Sequence, residues 1–156
     1  EGVNVPVVFD PVMIATSGAA LADSETVAAF ERLMQIATLT TPNVAELEAL
    51  GGHSGMAGRG ITYLAKGGDA RGDVLLDQLI VPGQEAVIWQ SPRIDTAHTH
   101  GTGCTLASAI ATYLGTGWPL VESIAASRDF VRAALLAAPG FGAGNGPLGH
   151  AQAQIT

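Results

Sequence analysis

The chain has 156 residues, 47% of them hydrophobic and 13% charged, which fits one globular domain of ordinary size and excludes a disordered chain. A formal net charge of −7, with only seven scattered Lys and Arg, argues against a nucleic-acid partner, because phosphate backbones are bound mainly through cations. One cysteine permits no internal disulfide and no cysteine-based zinc cage, which favours a reducing compartment, and no apolar run approaches the roughly 18 residues of a membrane span.

The opening Glu1-Gly2-Val3 has neither an initiator Met nor a charged-then-apolar leader and reads as the interior of a longer chain. Val5-Pro6-Val7-Val8-Phe9 is a continuous apolar run, the pattern of a strand buried on both faces of a parallel sheet, and it ends at Asp10. Asp23 or Ser24 can cap a helix whose apolar positions Val27, Phe30, Met34 and Ala37 share a face. The β-branched Thr38-Leu39-Thr40-Thr41 forms a second strand that stops at Pro42. Asn43 and Glu46 have capping-box spacing before the short helix of Val44, Leu47 and Leu50, which Gly51 ends. Residues 51–60 are dense in glycine.

Ile61-Thr62-Tyr63-Leu64-Ala65 is a third strand, ending at Lys66-Gly67-Gly68. Residues 74–81 and 86–89 read as antiparallel strands with turns at Asp77-Gln78 and Pro82-Gly83. Thr99-His100-Gly101-Thr102-Gly103-Cys104-Thr105 then runs into Leu106, Ala109, Ile110, Tyr113 and Leu114, whose spacing makes one helical face and sets Gly101 to Cys104 at a helix N-terminus. Unpaired N–H groups and the helix dipole suit such a turn to an anion and should draw a thiol there below its free pKa of about 8.5. Gly115 and Gly117 break the chain, and Pro119 opens a last helix with Val121, Ile124, Val131 and Leu135 on one stripe. Residues 141–147 form an ordered loop or a flap.

Alternating strands and helices imply an α/β fold whose ligands lie beyond the carboxyl ends of the strands. Asp10, Asn43 with Glu46, and Lys66, the chain's one lysine, all fall just past a strand end, on the edge where the Gly101 loop is also expected. Carboxylates, a lysine and a helix N-terminus are what a metal-bound nucleoside triphosphate requires. Each has a plainer reading: Asp10 as a turn cap, Asn43 and Glu46 as a capping box, Lys66 as a solvated surface charge, Cys104 as small core filler. His53, His98, His100 and His150 have no zinc-site spacing, and His100 is better suited to shaping the anion loop than to catalysis.

With these residues assembled, the chain resembles the hydroxymethylpyrimidine and phosphomethylpyrimidine kinases of thiamine biosynthesis, in the ribokinase-like superfamily. The landmarks are Val8-Phe9-Asp10-Pro11-Val12-Met13 with Ser17-Gly18, Thr41-Pro42-Asn43 with Glu46, Leu64-Ala65-Lys66-Gly67-Gly68, Arg93-Ile94-Asp95-Thr96, and the Thr99 to Thr105 segment; Gly146-Pro147 with His150 is similar to the family's C-terminal signature. The resemblance covers nearly the whole chain but only the C-terminal part of the family's fold. Cysteine at position 104 discriminates most, since the superfamily's sugar kinases and most of its pyridoxal kinases carry aspartate there.

The resemblance implies a three-layer α/β/α fold with a mostly parallel central sheet and some antiparallel strands near residues 74–94, in a single domain over 1–156. It implies Cys104 as catalytic base, Gly101, Thr102 and Gly103 as the anion hole, Lys66 and Gly67 at the nucleotide phosphates, and Asp10, Asn43 and Glu46 around Mg²⁺, with Val12 against the pyrimidine ring. The family's N-terminal portion is absent, and where the family has a helix between Leu50 and Ile61 this sequence has only glycine-rich residues, as though a segment were missing there. The expected activity is transfer of the ATP γ-phosphoryl to a hydroxymethylpyrimidine and then to its monophosphate, in the cytoplasm, with no nucleic-acid or membrane partner and a homo-oligomer left open. The alternatives are a pyridoxal kinase of the cysteine-bearing kind and a catalytically silent nucleotide-binding module.

Overall fold

The computed structural model describes residues 5–13, 23–68 and 72–153. They fall into two compact units, one within Glu1–Arg93 and one within Ile94–Thr156. The resemblance landmark Ser17-Gly18 lies outside the described residues.

The first unit is an α/β layer of β1 (Val8–Phe9), α1 (Ser24–Ile36), β2 (Leu39–Thr40), α2 (Val44–Ala49), α3 (Gly52–Gly58), β3 (Tyr63–Ala65), β4 (Val74–Ile80) and β5 (Val87–Pro92). The strands lie in the order β1-β2-β3-β4-β5, parallel through the first three and antiparallel through the last two, so the sheet is mixed. Asp23 caps α1 as its spacing suggests, accepting the Thr26 N–H at 2.8 Å. Below the sheet Met34, Leu47, Leu50, Met56, Ile61 and Tyr63 form one core, joined by Phe9 and Phe30 in an edge-to-face pair with ring centroids 5.1 Å apart.

Three sequence expectations need correction in this unit. The run from Val5 to Phe9 is not buried on both faces: only Val8 and Phe9 are strand, and Val5 and Val7 are exposed, because β1 is at the edge of the sheet among the described residues. The glycine-rich stretch after Leu50, expected to stand in place of the family's helix, itself forms α3. Its glycines cost about 1 kcal/mol each relative to alanine in a helix, and tertiary packing offsets this. Met56 is wholly buried, Arg59 Nη1 donates to the Leu50 carbonyl at 2.8 Å, and at Gly55 a Cβ would sit 3.0 Å from that same carbonyl oxygen. Finally, Asp77 and Gln78 do not turn; they lie inside β4, paired with Trp89 and Ile88. The reversal comes at Pro82-Gly83, where Gln84 N donates to Val81 O.

The second unit packs α4 (Thr102–Gly115) against α5 (Leu120–Leu136), followed by a 3₁₀ turn at His150–Gln152. Ile110, Ile124 and Ala134 are fully buried. The inward stripe of α5 is Ser123, Ile124, Ser127, Val131 and Ala134, so Val121, expected on it, is exposed instead. Ser127 Oγ returns to the Ser123 carbonyl at 2.7 Å, which lets a hydroxyl sit in the buried face without an unmet bond.

Candidate active site

In the first unit, β1, β2 and β3 run parallel, so the residues that follow each of them emerge on one edge. Asp10, Thr41-Pro42-Asn43 and Lys66 do so. Lys66 Nζ lies 2.8 Å from Asp10 Oδ1, each side chain only 13% exposed. Thr41 Oγ1 donates to the same oxygen at 2.7 Å. The backbone continues the sheet for one step past the strand ends, with Lys66 N donating to Pro42 O at 2.9 Å and Asn43 bridged to Lys66 in parallel.

Asp10 Oδ2 is buried and has no partner among the described residues. A buried carboxylate oxygen left unpaired costs about 1–3 kcal/mol, more when charged, so this atom is fitted to receive a donor or a cation. A hard, oxygen-seeking ion such as Mg²⁺ suits it, since Mg²⁺ is commonly held by one or two carboxylates, its own waters and phosphate oxygens. No trio of His, Cys, Asp or Glu arranged for a metal occurs among the described residues.

Asn43 and Glu46 make a complete capping box: Glu46 N donates to Asn43 Oδ1 and Asn43 N to Glu46 Oε2, both at 2.8 Å. Glu46 is buried, and burial pushes its pKa up, opposed by the hydrogen bond from Asn43 and the charge of Lys66. Gly67 is required by close approach, because a Cβ there would lie 2.1 Å from the Leu76 carbonyl oxygen. Its N–H donates to Asp77 Oδ1 at 2.9 Å, which explains an aspartate in mid-strand. Val12 is half-buried, with its N–H donating to the Asp10 carbonyl.

In the second unit, Gly101 precedes α4 in the left-handed region at φ 83°, a conformation that favours glycine. Thr102 Oγ1 and Thr105 Oγ1 donate to the carbonyls of Thr99 and Gly101 at 2.7 and 2.8 Å, tying down the first turn. The N–H groups of Gly103 and Cys104 have no partner among the described residues, and the Cys104 thiol is exposed, which removes its reading as core filler. His100 N donates to Gly146 O at 3.2 Å and His100 is bridged to Pro147, so its backbone shapes the loop.

Sequence reasoning gave Thr41 and Thr105 no role of their own within its landmarks, and it put Asp77 in a turn. The two threonines carry a local signal, a hydroxyl next to a strand-ending proline and one four residues after a left-handed glycine. Asp77 has none, because its partner Gly67 is distant in sequence and meets it only through the β3–β4 pairing.

A mixed sheet bearing an Asp–Lys pair at its parallel edge, with a glycine turn opening a helix at an exposed cysteine, is of the ribokinase-like α/β kind. The phosphomethylpyrimidine kinase family model matches residues 1–149, and the chain belongs to that family. It is 39% identical to the hydroxymethylpyrimidine/phosphomethylpyrimidine kinase of Rhizobium meliloti, over 92% of this chain and 60% of that protein. It is 41% identical to the thiamine biosynthesis bifunctional protein ThiED of Geobacter sulfurreducens, over 92% of this chain and 32% of that one. The chain thus spans about a third to three-fifths of the length of these relatives. In structure it is similar to the pyridoxal kinase of Bacillus subtilis in its ADP complex, with a TM-score of 0.79 and 27% identity over 96% of this chain and 62% of that one.

Proposed function

We propose that the chain is the nucleotide-binding portion of a single kinase domain that transfers the γ-phosphoryl of ATP to the hydroxymethyl group of a pyrimidine, and then to the resulting monophosphate, in cytoplasmic thiamine biosynthesis. The observation that carries this reading is Cys104, exposed in the first turn of α4, where its own N–H and that of Gly103 have no partner among the described residues. Phosphoryl transfer asks a protein mainly for alignment and charge stabilisation. The Cys104 thiolate accepts the proton of the attacking hydroxyl. The Gly101-Thr102-Gly103 turn faces the transferring phosphoryl and offers it the N–H groups of Gly103 and Cys104, the Thr102 N–H being held by the Thr99 carbonyl at 3.3 Å. Lys66 and Gly67 face the nucleotide phosphates, and Val12 lies against the pyrimidine ring. Mg²⁺, held through Asp10 with Asn43 and Glu46 organising the edge around it, neutralises phosphate charge when bound.

A pyridoxal kinase reading is favoured by one observation, the structural similarity to the Bacillus subtilis pyridoxal kinase. Turnover of Mg·ATP by the full-length protein, compared with hydroxymethylpyrimidine, with pyridoxal and without acceptor, separates the readings. Pyrimidine should be phosphorylated with the highest kcat/KM. A preference for pyridoxal would transfer the assignment to the second reading, and nucleotide binding without turnover on either acceptor would leave a silent module.

A further inference from the structure

His150 has no part in the chemistry above, yet its ring meets the first turn of α4. Gly149 N donates to Ala134 O at 2.9 Å, which anchors the segment to α5, and the His150 ring lies 6.2 Å from Phe130, tilted by 31°. Its Nε2 is 2.9 Å from Thr105 Oγ1, which is also 2.8 Å from the Gly101 carbonyl oxygen. A carbonyl oxygen has no proton to give, so the Thr105 hydroxyl must donate to Gly101 O. That hydroxyl has a single proton. It can therefore only accept from His150, whose Nε2 must carry hydrogen, and Nδ1 is left without a partner among the described residues.

We infer that His150 is a positioning residue for phosphoryl transfer: its Nε2–H fixes the Thr105 hydroxyl, which fixes the Gly101 carbonyl and with it the free N–H groups of Gly103 and Cys104. The neutral Nε2–H tautomer and the imidazolium both donate there, so the link survives protonation of the ring. The role presupposes the kinase reading. It differs from a merely structural contact because it predicts an effect on kcat with little effect on substrate KM or on thermal stability.

The test uses the full-length protein. His150→Phe keeps a ring beside Phe130 but removes the donor, and it should lower kcat by about 10-fold or more while leaving the KM for ATP and the Tm close to the parent's. His150→Gln, whose amide can donate from a similar position, should recover most of the loss. Nitrogen NMR of ¹⁵N-histidine-labelled protein with the ring neutral should show His150 protonated at Nε2 and not at Nδ1, and Thr105→Val should abolish the hydrogen bond. An Nδ1–H tautomer, or a Phe variant with the parent's kcat, would overturn the positioning role while the kinase reading stands. A parent protein inactive on every acceptor would overturn both.

Discussion

At the scale of single residues, Cys104 and Lys66 carry contrasting expectations. Cys104→Ala removes a solvent-exposed thiol, so stability should hardly change, whereas the loss of a positioned proton acceptor should lower kcat by roughly 10² to 10⁴. Cys104→Asp should retain more activity than Ala, since a carboxylate accepts the same proton and is favoured at the positive end of α4. Steady-state kinetics of the three proteins decide this, and an alanine variant with the parent's kcat would remove the base from Cys104. Lys66→Ala should raise the KM for ATP, and it also leaves the Asp10 carboxylate without its cation, with only the Thr41 hydroxyl still donating to it, so some stability goes with it. Glu46 adds a pH signature. Burial raises its pKa above the value in the unfolded chain, so the folded state resists its ionisation, and the parent loses stability relative to Glu46→Gln as pH rises through and above the ordinary glutamate range. Gln keeps an oxygen for the Asn43 N–H, so melting curves of the two proteins should nearly coincide in acid and diverge in favour of Gln toward neutral pH. A constant difference across that range would place the pKa elsewhere.

At the scale of elements, α3 is the instructive case. Three glycines in seven residues contradict helix propensity, and the helix forms because one buried methionine and one arginine tie it to the core. Met56→Ala should cost about 2–5 kcal/mol, the usual loss for a buried methionine, measured by urea unfolding. The Arg59–Glu31 pair, 3.0 Å long and largely solvated, should matter far less, and Glu31→Ala should change stability by under about 1 kcal/mol. β3 and β4 show a similar dependence on distant partners. Gly67→Ala would drive a methyl group into the Leu76 carbonyl, so the backbone carrying Lys66 must shift; both ATP affinity and stability should fall.

At the scale of the whole molecule, the proposal of one kinase domain has its own signature. Although the described residues cluster as two compact units, a single domain should unfold in one cooperative calorimetric transition, and Mg·ADP should raise that transition as a whole. Two transitions, with only one shifted by nucleotide, would separate the units as independent folding bodies.

What the sequence determined by itself was local or strictly periodic: the Asp23 cap, the Asn43/Glu46 capping box, the helix that starts at Gly101, and the rule that residues following parallel strands share an edge, which put Asp10 and Lys66 together. The caps and the helix start depend on neighbours within about a turn, and the shared edge follows from the α/β class that alternating strand and helix periods imply. Tertiary structure alone decided that residues 52–58 are helical, that Asp77 stays in its strand to receive the Gly67 N–H, that Val121 faces out, and that His150 reaches Thr105 from 45 residues away. In all four the deciding partner is distant along the chain or is the packing of a whole face, and no local pattern encodes it.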